Sequence, residues 1–191
     1  MNSMKEEEHN SREEETKKEA GEERALLGQY LNFVLNDEVF GMNIMHIKEI
    51  LERREIVEVP LASSIFAGVI NLRGSVVPVV DLSVRLGGEP IRAGGNNCII
   101  IAETEDEEGM MDIGMLVQEV REVRDVQSAD SFEAPRFGAN LRPDFLEGLG
   151  RIGENFVLLL DRLAVLNIDE LTLLARRAEP GFDLGVREEE T

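Results

Sequence analysis

Residues 68–81 read GVINLRGSVVPVVD, two apolar segments rich in β-branched side chains on either side of Arg73-Gly74. Such segments are typical of strands, and a two-residue separation that contains glycine predicts a tight β-hairpin. Gly74 can adopt a positive φ at the turn because it has no Cβ. Pro78 cannot donate a hydrogen bond to a neighbouring strand, which predicts an edge strand or a bulge. We therefore expect this hairpin at the rim of a sheet.

Arg73 is a charged residue at the tip of an otherwise apolar hairpin. Asn71 lies two residues earlier and so on the same face of its strand. Both residues fit a turn that simply faces water, where asparagine and other polar residues are common. They fit equally a rim that binds another molecule, and the local sequence leaves both interpretations open.

The composition excludes several classes of partner. The chain has 191 residues and a formal net charge of -19, which argues against binding to nucleic acid or to an anionic membrane surface. No apolar run approaches the roughly 18 residues that span a bilayer, and the charged N-terminus does not resemble a signal peptide. We therefore expect a cytoplasmic protein without direct membrane insertion. The single cysteine, Cys98, has no internal partner for a disulfide.

Turn signals divide the remaining sequence into short elements. A charged segment with almost no apolar side chains precedes them and is predicted to be disordered. Short strand-like runs then alternate with turns, which favours two small barrels over one large sheet. The predicted divisions are a disordered tail (1–27), a first barrel (about 28–86), a second barrel (about 96–161), a C-terminal helix (162–178) and a charged tail (179–191).

Two segments in this organisation have helical periodicity. The apolar residues Ile44, Ile47, Ile50 and Leu51 follow three- and four-residue steps, which predicts a helix after the second strand. Near the C-terminus, an apolar stripe that includes Leu163 and Leu166 continues to Ala178. Asn167 and Glu170 have the spacing of a capping box within that helix.

The sequence offers no set of residues suited to catalysis or metal binding. His9 lies in the charged tail, His46 is expected at a surface, and Cys98 starts a strand as a small hydrophobe. No Cys/His set has zinc spacing, and the acidic run at 103–108 lacks the ligand spacing of an EF-hand. We predict no catalytic residue, no metal and no cofactor.

One formal motif supports an alternative function. Residues 148–153 read GLGRIG and satisfy G-x-G-x-x-G, which would make the chain a small-ligand or nucleotide-binding β-barrel. A dinucleotide site needs these glycines between a strand and a helix, whereas here a second β-rich run follows. Bends in a curved barrel strand explain the glycines better.

Fragments along most of the chain resemble the CheW family in order and spacing. The fragments are QYLNF (29–33), FGMNI (40–44), IKEI (47–50), NLRG (71–74), VVPVVDL (76–82), GMLV (114–117) and FLEGLG (145–150). The resemblance covers residues 28–178 and implies an all-β fold. This fold would consist of two five-stranded SH3-like barrels packed on a shared core, with short helices and a C-terminal helix. It leaves open an exchange of strands between the barrels.

The same resemblance implies a function. CheW-like proteins are non-enzymatic adaptors of two-component chemotaxis signalling. They join the cytoplasmic tips of chemoreceptors to the regulatory domain of the histidine kinase CheA, within arrays associated with the membrane. A detached regulatory domain of a kinase would have a similar fold, but a free-standing adaptor is the simpler interpretation.

Matched residue by residue, the family pattern implies contacts for several positions. Receptor binding is implied for Ile47, Glu49, Gly68 and Arg73, while Asn71 and Gly74 are expected to form the turn. Kinase binding is implied around Cys98. Two positions depart from the family pattern: Cys98 replaces a β-branched residue and Gln118 replaces an acidic one, and both departures concern the kinase surface. Because the resemblance places these two opposite charges on one surface, we also predict an ion pair between Arg73 and Glu49 that fixes the arginine side chain.

Overall fold

A computed structural model describes residues 26–52, 55–59, 63–92, 96–106, 109–128 and 141–178. Ten strands account for most of them: β1 (Leu26–Leu35), β2 (Glu38–Asn43), β3 (Ile47–Glu52), β4 (Phe66–Leu72), β5 (Ser75–Asp81), β6 (Cys98–Asp106), β7 (Gly109–Val117), β8 (Glu119–Ser128), β9 (Leu146–Ile152) and β10 (Asn155–Leu160). The helices are α1 (Leu82–Arg85), α2 (Arg162–Val165) and α3 (Ile168–Ala178), and 3-10 turns cover Ile44–His46 and Pro143–Phe145. The predicted tails lie outside the described residues, except that Leu26 and Leu27 belong to β1.

The strands form two five-stranded sheets, as the family resemblance implied. Strands β1-β2-β10-β9-β8 close into what we call the terminal barrel, and strands β3-β6-β7-β5-β4 form what we call the central sheet. No ladder joins β3 to β4 within the described residues, so these two are the edges of the central sheet.

The two sheets do not follow the predicted division into residues 28–86 and 96–161, and the exchange of strands that was left open is present. The terminal barrel consists of β1 and β2 from the first half of the chain and β8, β9 and β10 from the second half. The central sheet consists of β3, β4 and β5 from the first half and β6 and β7 from the second half. The reason is that β3 follows β2 after a single 3-10 turn and then pairs with β6 instead of returning to β1. Strands are thus exchanged between the halves, an arrangement that local periodicity does not reveal.

Three apolar clusters form the core, and one of them joins the two sheets. The central sheet encloses one cluster, which includes Ile70 and Ile99, and the terminal barrel encloses a smaller one around Tyr30 and Val157. The largest cluster draws on both sheets and on the helices, with members such as Phe33, Ile100, Leu158 and Leu171. It forms because alternate residues of a strand face opposite sides of its sheet, so one side of each sheet remains available for the other.

The helix predicted over Ile44–Leu51 is absent, because a 3-10 turn followed by β3 occupies this segment. Strand β3 pairs with β6 and has a bulge at Lys48, since Ile47 is opposite Ala102 whereas Glu49 is already opposite Ile101. The bulge shifts the alternation of faces, so the spacing of the isoleucines imitates helical periodicity. Pairing with the available edge of β6 therefore determines the structure of this segment, although the local sequence pattern favours a helix.

The hairpin of β4 and β5 is confirmed, with the turn at Arg73-Gly74. Pro78 does not lie in an edge strand, because β5 is paired with β4 on one side and with β7 on the other. Its missing N–H is tolerated because the ladder to β7 begins only at Val79. The hairpin is nevertheless at the rim of the sheet, since β4 is an edge strand.

The predicted C-terminal helix is divided into α2 and α3. The Asn167 side chain accepts a hydrogen bond from the backbone N–H of Glu170 (2.8 Å), as predicted for an N-cap. The carboxylate of Glu170 does not return to the cap and instead binds Arg85. Leu163 is exposed, contrary to its assignment to the apolar stripe.

Candidate functional site

The Arg73 side chain forms the predicted ion pair with Glu49. Its two terminal nitrogens donate to the two carboxylate oxygens, Nη1 to Oε1 at 2.7 Å and Nη2 to Oε2 at 3.0 Å. Arg73 is exposed and Glu49 is half-buried. An exposed pair stabilises a fold by about 1 kcal/mol at most, so its main effect is to fix where the guanidinium points.

The backbone of the turn is as unusual as its side chains. Arg73 has φ 53° and Gly74 has φ 92°, the left-handed values of a type I′ hairpin turn. A residue with a Cβ pays roughly 1 kcal/mol or more for this conformation. The Asn71 side chain accepts a hydrogen bond from the Gly74 N–H (3.0 Å) and thereby supports the turn. Arg73 is therefore presented at a position where glycine or asparagine would be easier to accommodate.

The ion pair bridges the two edges of the central sheet. Glu49 belongs to β3 and the Arg73 turn connects β4 to β5, and β3 and β4 are the strands that no ladder joins within the described residues. The bulged Lys48 next to Glu49 is held by Glu103 (2.9 Å) and Asp112 (2.8 Å). The position of Glu49 is thus set by the β3–β6 ladder and by its neighbour, before any partner binds.

Ile47 and Gly68 lie close in sequence to this pair but have different roles in the structure. Ile47 is half-buried and packs against the large cluster between the sheets. Gly68 is buried with φ 142°, and a Cβ there would lie 2.3 Å from the carbonyl oxygen of Val57. Val57 and Val69 exchange two backbone hydrogen bonds of 2.9 Å at this point. Gly68 thus shapes the surface and contributes no side chain to it.

Cys98 is the first residue of β6 and is buried in the large cluster. Its thiol donates to the carbonyl oxygen of Asn96 (3.2 Å), and burial raises the thiol pKa. A shallow depression above it is also lined by Glu52, Glu119 and Val120. The side chain of Cys98 therefore supports this surface from below.

Gln118, the second departure from the family pattern, has a structural contact. Its side-chain oxygen accepts a hydrogen bond from the backbone N–H of Asn36 (2.6 Å). It thereby joins the β7–β8 connection to the β1–β2 turn.

Sequence reasoning missed a cluster that joins the C-terminal helices to the central sheet. Arg85 is buried and donates to the carbonyl oxygens of Val165 (2.8 Å) and Ala164 (3.0 Å) and to Glu170 (2.8 Å). Its guanidinium also lies 4.4 Å from the ring centroid of Phe145. The hydrogen bond from Arg85 lowers the pKa of Glu170. The sequence did contain one signal for this cluster, namely a charged residue, Arg85, within the apolar run that follows β5.

The glycine motif has a packing explanation. Residues 148–153 lie in β9 and in the turn to β10, so the element that directly follows them is a strand and not a helix. A Cβ at Gly150 would lie 2.2 Å from Val126, so this glycine permits close packing inside the terminal barrel. Among the described residues, no group of three or more His, Cys, Asp or Glu is arranged to hold a metal ion. No helix in the described part of the chain is long and apolar enough to cross a membrane.

This architecture defines a class of protein. Two five-stranded sheets pack on a common core, and an exposed arginine, a residue type enriched among the main contributors to protein–protein binding, is held at a hairpin tip. Residues 29–170 match the family model of the CheW-like domain. The chain therefore belongs to the CheW family, whose members are non-enzymatic scaffolds that couple receptors to CheA in chemotaxis.

Individual relatives agree with this assignment. The chain is 30% identical to a chemotaxis protein CheW from Klebsiella aerogenes over 146 residues, which cover 76% of this chain and 86% of the relative. It is 28% identical to a probable chemotaxis protein CheW from Rhizobium etli, over 74% of this chain and 89% of the relative. The crystal structure of scaffolding protein TtCheW from Thermoanaerobacter tengcongensis has the same fold, with a TM-score of 0.57, 24% identity, and coverage of 70% of this chain and 88% of that one.

Proposed function

We propose that this chain binds the cytoplasmic tip of a chemoreceptor at the Arg73 hairpin and the regulatory domain of CheA at the surface above Cys98. The observation that carries the proposal is the bidentate contact of Arg73 with Glu49, which holds an exposed cation in one place. Through these contacts the protein is recruited to membrane-associated receptor arrays, and it joins its two partners without catalysing a reaction.

The surroundings of Arg73 suit an amphipathic helix. Arginine has five N–H donors, and the pair with Glu49 uses two of them. The remaining donors can bind a carboxylate or a carbonyl of the partner. The same strands carry exposed apolar side chains: Val76 on β5 and Ile50, the residue after Glu49, on β3, while Ile47 of β3 is half-buried. A helix that lays an apolar stripe and one acidic residue on such a surface is a common mode of recognition.

The proposed kinase surface lies where β3 ends and the antiparallel β6 begins. Glu52 is opposite Cys98 in the β3–β6 ladder, and both line the depression with Glu119 and Val120. A barrel-end contact there would leave the Arg73 hairpin free, because the hairpin is at the other end of the Glu49–Glu52 segment. Both partners can then be held at once.

The test measures binding of each partner separately. Arg73→Ala and Arg73→Glu are expected to weaken binding of a receptor cytoplasmic fragment by about tenfold or more, because a charged contact at an interface is lost. Binding to CheA should be unchanged. Arg124→Ala is the matched control, since Arg124 is an exposed arginine paired with Glu122 at 2.8 Å on the other sheet.

Two results would contradict the proposal. One is a loss of CheA binding with receptor binding intact in the Arg73 variants. The other is an equal loss of receptor binding in the Arg124→Ala control. Kinase activity in the presence of receptor and of each variant provides the functional readout.

A further inference from the structure

The chain crosses from the central sheet to the terminal barrel at a single residue, Gln118. Strand β7 ends at Val117 and β8 begins at Glu119, and these two strands belong to different sheets. The backbone N–H of Gln118 donates to the carbonyl oxygen of Val34 (3.3 Å), which is opposite Glu119 in the β1–β8 ladder. The backbone of the crossover is therefore attached to β1 of the terminal barrel.

The side chain of Gln118 is the first member of a series of hydrogen bonds that we call the Gln118 relay. Its oxygen accepts from the backbone N–H of Asn36 (2.6 Å) in the β1–β2 turn. The Asn36 side chain donates to the hydroxyl of Ser83 (2.8 Å), and this hydroxyl donates to the carbonyl oxygen of Glu89 (2.7 Å). Ser83 is fully buried. The relay thus connects the crossover to the loop after α1 through a hydroxyl that no partner protein can touch.

The loop after α1 packs directly against the relay. The backbone N–H of Gly88 donates to the carbonyl oxygen of Ser83 (2.8 Å). A Cβ at Gly88 would lie 2.3 Å from the side-chain nitrogen of Asn36 and 2.7 Å from the hydroxyl oxygen of Ser83. The path of the loop backbone therefore depends on where the relay holds these two side chains.

The two segments that the relay connects also form the depression at the proposed kinase surface. Glu119 and Val120 directly follow Gln118, and both line the depression. Asn96 lies in the connection between α1 and β6, Cys98 begins β6, and both line it as well. A change at Gln118 should therefore reach this surface even if the glutamine side chain does not contact the kinase.

Gln118 differs in charge from the acidic residue that the family resemblance implies, but it keeps the capacity to accept a hydrogen bond. Glu52 and Glu119 already place two carboxylates at the depression. The pKa of the Cys98 thiol is raised by burial and also by both of these carboxylates. A third carboxylate at position 118 would add repulsion between like charges. Glutamine supplies the acceptor without this additional charge.

We propose that Gln118 is a positioning residue for the kinase contact, and that its side-chain oxygen, by holding Asn36, fixes both walls of the depression before CheA binds. The inference rests on the proposed kinase contact above Cys98. A surface that is already ordered binds more tightly because less conformational entropy is lost on association. The relay consists of hydrogen bonds between uncharged groups, so the loss of one should weaken binding by about three- to tenfold.

Two variants interrupt the relay and one preserves it. Gln118→Met keeps the length of the side chain and removes the acceptor, and Ser83→Ala interrupts the relay at a buried position. Each should weaken CheA binding by about three- to tenfold and leave receptor binding unchanged. Gln118→Glu keeps an acceptor oxygen. It should bind CheA within about twofold of the wild type in about 0.5 M salt, where the added charge is screened.

Thr104→Ala is the matched control because it also removes a buried hydroxyl. Thr104 donates to the carbonyl oxygen of Leu166 (3.1 Å) and lies in β6 about 20 Å from Cys98, as judged from the rise per residue of a strand. The control should lower the free energy of unfolding and leave CheA affinity unchanged. The double variant Gln118→Met with Ser83→Ala should bind CheA no more weakly than the weaker-binding single variant, because both substitutions interrupt one relay.

Calorimetry with CheA and urea denaturation of each variant separate the outcomes. Unchanged CheA affinity in folded Gln118→Met and Ser83→Ala would overturn the inference. Equal losses in Gln118→Met and Gln118→Glu would also overturn it, because the glutamine would then act by direct contact. The same holds if Thr104→Ala loses as much affinity as Ser83→Ala, since general destabilisation would then be the cause.

Two further comparisons complete the test. If Gln118→Met does not fold, the comparison of Ser83→Ala with Thr104→Ala decides the inference. Glu52→Arg places a longer side chain of opposite charge at the exposed rim of the depression. If this variant leaves CheA affinity unchanged, the proposed kinase surface is itself wrong. If Glu52→Arg changes the affinity and the relay variants do not, only the role of Gln118 is wrong.

Discussion

Two arginines contact the same phenylalanine and the same glutamate, but one is buried and the other is exposed. Substituting each in turn therefore tests how much burial changes the contribution of an arginine to stability. Arg85 and Arg142 each lie 4.4 Å from the ring centroid of Phe145, and each binds Glu170. The side chain of Arg85 is 2% exposed, whereas that of Arg142 is 47% exposed. Arg85 also donates to two backbone carbonyl oxygens and Arg142 also binds Asp144, so their contributions to stability should differ through burial and through the partners that each substitution leaves unpaired.

We expect Arg85→Ala to lower the free energy of unfolding by about 3 to 5 kcal/mol. The substitution leaves the carbonyl oxygens of Ala164 and Val165 without their donor and opens space beside Phe145. Each buried acceptor that loses its partner costs about 1 to 3 kcal/mol. Arg142→Ala removes exposed contacts with Asp144 and Glu170 and the packing on Phe145, and it should cost about 1 kcal/mol because exposed ion pairs contribute little.

Urea denaturation followed by circular dichroism measures both values. Arg85→Met serves as a further control because it fills the space without the charge, and it should recover part of the loss. The reasoning is refuted if Arg85→Ala and Arg142→Ala cost the same, since burial would then not decide the contribution. It is also refuted if Arg85→Ala costs less than about 1 kcal/mol.

Two further predictions concern the glycine below the hairpin and the acid limit of stability. Gly68→Ala should lower the free energy of unfolding by about 2 kcal/mol or more, because its Cβ would overlap the Val57 carbonyl. Gly74→Asn should cost less, about 1 kcal/mol, because its φ of 92° is strained for a side chain but the space beside it is open. Equal urea midpoints for the two variants would contradict this. The pKa of Glu170 is lowered from its ordinary value of 4.5, so its ion pairs stabilise the fold above that pH and are lost as pH falls through the lower folded value. In the Glu170→Gln variant, the free energy of unfolding should therefore decrease less steeply as the pH falls. If the free energy of unfolding of the variant instead runs parallel to that of the wild type below pH 4.5, the ion pairs of Glu170 contribute nothing.

Sequence reasoning found those parts of the protein in which local pattern and structure agree. The hairpin at Arg73-Gly74 could be predicted because a two-residue turn fixes the register of its two strands. The pairing of Arg73 with Glu49 was predicted because the family resemblance placed these two opposite charges on one surface. The segment from Ile44 to Leu51 was misread because a bulge gives isoleucines in a strand the spacing of a helix. Arg85 was missed because its partners are backbone carbonyls far along the chain, and backbone carbonyls leave no trace in a sequence.

The exchange of strands has a consequence for how an adaptor of this kind transmits a signal. Glu49 at the proposed receptor surface and Glu52 at the proposed kinase surface are in the same strand, and both pair with β6. Three residues of strand span about 10 Å, so both surfaces are fixed to one short ladder. That ladder lies between two apolar clusters, one inside the central sheet and one shared with the terminal barrel. Close-packed interiors deform little, so a shift of the receptor at Arg73 should reach the kinase as a displacement of the whole domain and not as a change in its internal structure.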